Sequence, residues 1–186
     1  AGGTDCTASA QMCAAGACVS QSIESVGQQY ADGDSSGSNL AVLNTYAVSK
    51  SRTLVAIEQA MTVAARPITF LVFDCGTSPT VAELGKTATS CIAIESLVSN
   101  VDASSTYVRS GTMSVPLVAG RKYMIGAWWS TKASFLTDSH TSATHLTTSF
   151  ATFEGASNVA ATSAPTTTPY AKRTTSRYPQ KLHIAP

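Results

Sequence analysis

The sequence has little charge, little histidine and no long apolar run. Charged residues make up 12% of its 186 positions, with 12 Lys and Arg against 11 Asp and Glu, a net charge of +1. That is about half the usual charged share of a globular protein. There is no basic stripe, so the electrostatic footprint of a nucleic-acid-binding protein is missing. The one basic cluster, Lys172, Arg173, Arg177 and Lys181, reads as solubilising charge on an edge strand rather than as a phosphate site. No run approaches the roughly 18 apolar residues that a membrane-crossing helix requires. With three histidines there is little material for a metal centre. No G-x-S-x-G elbow occurs, and a serine nucleophile has no base in a recognisable spacing. No catalytic residue and no cofactor are expected, and the chain reads as a non-enzyme.

Cysteine and the hydroxyl residues are what the chain does have. Its five cysteines are Cys6, Cys13, Cys18, Cys75 and Cys91. The first three form C-x6-C-x4-C, and the last two flank a loop rich in turn residues. Neither spacing is the C-x2-C of a zinc site. Disulfides formed in an oxidising compartment are the better reading. Five is odd. If Cys75 pairs with Cys91, one of Cys6, Cys13 and Cys18 is free or bonded to another molecule. Oxidation of the thiols also removes a thiolate nucleophile. Abundant Ser and Thr, scarce Lys and Glu, and a start at Ala1-Gly2-Gly3 that looks like a mature end after cleavage suit a secreted or surface protein.

Period-two alternation marks the strands. Met113–Trp129 reads as two strands joined by a tight turn at Gly120, with Tyr123, Ile125 and Ala127 on one face. Ile68–Phe73 is β-branched and aromatic throughout and reads as a central strand buried on both faces. Further strands are expected at Asn39–Val48, Thr53–Val63, Cys91–Val98, Tyr107–Arg109, His145–Phe153 and Tyr170–Tyr178, with an edge strand at Ala133–Thr137. Ala31–Ser38 reads as a loop. Eight or nine short strands without a strong helix predict an all-β, two-sheet antiparallel β-sandwich, jelly-roll-like. The expected organisation is a Cys-containing N-terminal segment and linker over 1–37, a sandwich core over 38–155, and a Thr/Pro-rich tail over 156–186 that adds a final strand.

Four segments carry a likeness. Thr53–Glu58 (TLVAIE), Ile68–Phe73 (ITFLVF) and Val115–Gly126 ending in Trp128, followed by Phe150–Gly155, make the chain resemble a β-sandwich module of secreted and surface bacterial proteins. The likeness covers about residues 38–178. It implies a jelly-roll-like fold and an extracellular address, and it brings no catalytic residues.

Candidate binding groups are few. Asp32, Asp34, Ser36 and Gly37 match the first half of a calcium loop, but Leu43 stands where a bidentate Glu is needed. A solvated Gly/Ser/Asp linker is the favoured reading, and no metal is expected. Asp138, His140 and His145 lie close in sequence, yet 140 and 145 would face opposite sides of a strand. Trp128, Trp129, Tyr123 and Phe135 form the one aromatic concentration of the sequence. Adjacent tryptophans point to opposite faces, so one can fill the core while the other stacks on a sugar, enters a partner, or lies under a loop or the tail.

Two functional readings follow. In the first, the chain is a secreted structural subunit that associates with copies of itself or joins an extracellular surface assembly, such as a filament. In the second, it is a carbohydrate-binding or adhesive module that uses the exposed Trp and Tyr rings.

Overall fold

The computed structural model describes residues 11–14, 17–26, 33–81, 87–104, 106–138, 147–171 and 177–186, and for 11–14, 17–19, 33 and 34 it describes the backbone alone. Cys6, Asp32, His140, His145, Lys172 and Arg173 lie outside the described residues. The strands are β1 (Gln11–Ala14), β2 (Ala17–Ser20), β3 (Ser22–Val26), β4 (Gly33–Gly37), β5 (Leu40–Val48), β6 (Arg52–Thr62), β7 (Arg66–Asp74), β8 (Ser90–Val101), β9 (Tyr107–Arg109), β10 (Val115–Leu117), β11 (Lys122–Trp129), β12 (Ala133–Thr137), β13 (Ala151–Ala160), β14 (Thr167–Pro169) and β15 (Gln180–Ala185).

Two antiparallel sheets pack together, which is the expected β-sandwich. One runs β13-β5-β11-β7-β8-β14. The other runs β3-β15-β6-β12-β4, with β9 and β10 also paired to β6, and β1-β2 form a separate ribbon. β6 carries partners on both edges. Its Ala60 N–H donates to Pro179 at the β15 side, and its Met61 N–H donates to Thr106 at the β9 side. The side of the sandwich bounded by β8 in one sheet is therefore bounded by β9 and β10 in the other.

The central strands of the first sheet are buried on both faces. Inward, Tyr46, Phe70, Val72, Tyr123, Ile125 and Trp129 meet Leu54, Ile57 and Met61 of the second sheet in the main core. Outward, Leu43, Leu71, Phe73 and Met124 form a second cluster with Tyr170 and the Cys75–Cys91 disulfide. This explains why β7 reads as a continuous apolar run and not as an alternating one. The disulfide confirms the expected Cys75–Cys91 pairing. It closes a loop of sequence separation 16 over that outer face.

A polar network crosses the main core and fixes β15. The Tyr46 hydroxyl donates to Gln180 Oε1 at 2.7 Å, and Gln180 Nε2 donates to Gln59 Oε1 at 3.0 Å. Asn44 Nδ2 donates to the Tyr178 carbonyl at 2.7 Å, and its Oδ1 accepts from the Tyr178 N–H at 3.0 Å. Buried amides and hydroxyls are costly unless partnered, so this arrangement ties the C-terminal segment to one register.

Several expectations are corrected. Val115–Leu117 and Lys122–Trp129 are not a hairpin: β10 pairs with β6 in one sheet, and β11 pairs with β5 and β7 in the other. The turn at Gly120, φ 83°, therefore passes from sheet to sheet. Gly33–Gly37 is not a loop but a strand paired with Thr137–Ala133. Ala133–Thr137 is consequently not an edge strand, since β12 lies between β6 and β4. The strand expected around 145–153 runs from Ala151 to Ala160. The last described strand is Gln180–Ala185, which sits inside its sheet between β3 and β6, and residues 172–176 of the strand expected over Tyr170–Tyr178 lie outside the described residues. The sheets thus draw β3 and β4 from the segment before residue 38, and β14 and β15 from the segment after residue 155.

Candidate functional site

Strand β8 is the longest in the chain, at 12 residues. β7 pairs along its inner edge from Val101 to Ile92. On its outer edge, β14 reaches only Ser90–Ile92, and the Ala93 N–H donates to the Thr166 carbonyl at 2.9 Å. From Ile94 to Val101 no described strand lies against that edge. Every second residue there presents its backbone N–H and C=O outward.

The side chains of this edge are unusual for one facing water. Ile92, Ile94 and Val98 are 61%, 44% and 61% exposed. β8 contains no Lys and no Pro, the residues that commonly blunt an edge, and Glu95 is its single charge. The register shifts between Val72 and Phe73, which face Glu95 and Ala93, so Ile94 is the extra residue of a bulge. Bulges re-aim side chains. Here Ile94 lines a cleft of about 500 Å³ between the sheet edges, opposite Val115, Pro116 and the 45% exposed Val118. A second cleft of about 350 Å³ lies at the other end of the same side, between Asn100–Ser104 and Tyr107–Arg109.

Polar groups frame the first cleft and are largely committed to each other. Arg121 Nε donates to both Asp74 oxygens, at 3.1 and 3.0 Å, and its terminal nitrogen lies 2.7 Å from Oδ2. The hydrogen bond and charge of Asp74 hold the guanidinium above its ordinary pKa. Asp74 Oδ1 also accepts from the Gly76 N–H at 2.8 Å, and the Tyr123 hydroxyl accepts from the Val118 N–H at 2.9 Å. The arrangement holds the turn between β10 and β11 in place and offers no nucleophile with an adjacent base. Beside the cleft runs the outer edge of β8, with no strand against it from Ile94 to Val101 among the described residues.

The residues expected to bind ligands are placed elsewhere. Tyr123 and Trp129 are buried in the main core, where Trp129 packs on Phe135 at 5.6 Å between ring centroids. Trp128 is half-buried on the outer face, and its indole N–H donates to the Ala161 carbonyl at 2.9 Å. Burial closes the rings of Tyr123 and Trp129 to a sugar, while Trp128 stays partly exposed. Ser36 lies in extended, paired β4, as does the backbone of Asp34, so the chain there does not curl as a calcium loop requires. Asp138 is ion-paired with Arg177, and both are buried. This also corrects the reading of the basic cluster: Arg177 is a core residue, and Lys181 lies on internal β15, 3.3 Å from Glu58. Of the three N-terminal cysteines, the backbone register sets Cys13 opposite Cys18.

Among the described residues, no group of three or more His, Cys, Asp or Glu could hold a metal ion. No helix there is long and apolar enough to cross a membrane. The β8 edge was missed by sequence reading. The alternation of Cys91–Val98 shows a strand, but which half of the alternation lacks cover depends on the order of strands in the sheet.

What fold and edge define together is a disulfide-containing antiparallel β-sandwich in which, among the described residues, no strand lies against the outer side of β8 from Ile94 to Val101. No family model matches the chain, and neither a curated protein nor a solved structure matches it.

Proposed function

We propose that this chain is a secreted, non-enzymatic structural subunit that self-associates by strand addition at the β8 edge. The observation that carries the reading is the coincidence, over Ile94–Val101, of an outer edge with no strand against it among the described residues and two exposed aliphatic side chains, Ile94 and Val98. An antiparallel strand from a second copy would satisfy the outward N–H and C=O groups. It would also cover the aliphatic side chains, each worth about 1.5–3 kcal/mol when fully buried. A two-fold pairing of β8 with its own copy is the simplest closed form of such a contact. The Cys75–Cys91 disulfide and the likeness of Thr53–Glu58, Ile68–Phe73 and Val115–Trp128 to surface modules support an extracellular setting.

Sedimentation velocity over a concentration series tests the reading. The wild-type chain, 19.2 kDa, is expected to form species of twice that mass or more. The double variant Ile94→Lys/Val98→Lys is expected to remain a folded monomer, because both side chains are already exposed. A wild-type chain that stays monomeric at every concentration, or a double variant that associates as the wild type does, would refute it.

A further inference from the structure

We propose that the second copy pairs with β8 about a two-fold axis centred on Val98, so that the first cleft of each copy lies against the second cleft of the other. This pairing rests on the strand addition proposed above and gives it a register. β14 takes up the outer edge of β8 as far as Ile92, and the Ala93 N–H is already bonded to Thr166. Ile94 is the extra residue of the bulge. The regular stretch that a new strand can follow therefore runs from Glu95 to Val101, in unbroken register with β7. Its midpoint is Val98.

Symmetry limits the choice further. A two-fold axis makes residue i face j and residue j face i. Directly opposed residues of an antiparallel pair share a face. Inward residues of one copy thus meet inward residues of the other, and the axis passes through a residue rather than between two. A centre at Val98 uses the whole stretch: Val98 faces its own counterpart, Leu97 faces Ser99, Ser96 faces Asn100 and Glu95 faces Val101. A centre at Leu97 would set the bulged Ile94 opposite Asn100 and Val101 opposite the already bonded Ala93. A centre at Glu95 would set two carboxylates face to face. Val98 is 61% exposed and lies opposite Thr69, which alternates with the outward Leu71. Two such β-branched side chains set opposite each other cover one another.

The charges agree with this centre. Glu95 lines the first cleft, and Asp102 and Arg109 line the second. None of the three has an ion pair among the described residues. With Val98 on the axis, Glu95 of one copy faces Val101 of the other, a residue that shares its cleft with Arg109. Asp102 falls level with Ile94, in the cleft whose cation is Arg121, itself held by Asp74. Each contact occurs twice across the axis. Complementary charges of this kind fix register and exclude wrong pairings.

The experiment uses the full chain and two readouts. Sedimentation gives the dimer dissociation constant of the wild type, Glu95→Arg, Arg109→Glu and the double variant. Arg109 is exposed and Glu95 half-buried, so the fold is expected to survive all three changes. Each single reversal is expected to raise the constant by roughly tenfold or more, and the double reversal to restore it. An isotope-filtered NOE on a mixture of labelled and unlabelled copies is expected to join Val98 methyls of one copy to Val98 methyls of the other. A wild type that is monomeric at every concentration would refute strand addition and this register together. A wild-type dimer in which the double reversal associates no better than the single ones, or in which Leu97 meets Leu97 across the axis, would overturn the register and leave strand addition standing.

Discussion

Arg177 Nε lies 2.8 Å from Asp138 Oδ2, and the two side chains are 2% and 0% exposed. The backbones meet as well: Asp138 N–H donates to Arg177 O at 2.9 Å, and Arg177 N–H donates to Asp138 O at 3.0 Å. This pair joins the end of β12 to the segment that leads into β15. Removing one member leaves a buried charge without its counter-ion, which typically costs about 3–5 kcal/mol. Asp138→Ala and Arg177→Ala are each expected to lower the unfolding free energy read from urea titration by an amount of that order. The double variant is expected to lose less than the sum of the two. Strict additivity in the double-mutant cycle would contradict the pairing.

Gly126 marks a close approach of β11 to β5. A Cβ at this position would overlap the Val42 carbonyl oxygen and lie 2.9 Å from the carbonyl carbon and 3.0 Å from Leu43 Cα. All three neighbours are backbone of a central strand and cannot swing aside. Gly126→Ala is expected to prevent soluble folding, while Gly111→Ala, where the nearest atoms are side-chain atoms at 3.5 and 3.6 Å, is expected to fold. Comparing the soluble yield and circular dichroism of the two variants checks this.

The acid side of the stability profile should carry the signature of Glu58. Burial raises its pKa, but the hydrogen bond from His183 at 2.7 Å and the charge of Lys181 outweigh that and hold it below 4.5. A carboxylate with a depressed folded pKa stabilises the fold fully above its unfolded value. It loses that contribution as pH falls from about 4.5 through the lower folded value. Thermal midpoints are therefore expected to drop over this interval in the wild type and to drop less in Glu58→Gln. Parallel profiles would contradict the assignment. The same carboxylate, with burial, raises the pKa of Tyr107, whose ring lies 4.2 Å from Lys181 Nζ.

The parts of this fold that sequence alone revealed are those in which local pattern and tertiary placement agree. Ile68–Phe73 shows its burial on both faces because every residue but Thr69 is apolar. Tyr123, Ile125 and Ala127 share the core face as their spacing requires. The link between β10 and β11 was misread because alternation across a glycine turn looks the same whether the strands pair or part to different sheets. β4, with the sequence GDSSG, has no intrinsic strand preference, and its extended form comes from pairing with β12. β15 was hidden because QKLHIA follows a Thr- and Pro-rich stretch, and its polar residues Gln180, Lys181 and His183 find partners from distant β5 and β6. The open edge of β8 depended on the same non-local information. Nothing within Ser90–Val101 states that β14 stops at Ile92.

Hydrogen exchange of the β8 amides, read at low and at high protein concentration, tests the central claim most directly. If a second copy adds a strand there, outward-facing amides between Ile94 and Val101 are expected to gain protection as concentration rises. Amides of buried β7 should stay unchanged, and the gain should vanish in Ile94→Lys/Val98→Lys. Exchange across Ile94–Val101 that is rapid and identical at all concentrations would contradict the account.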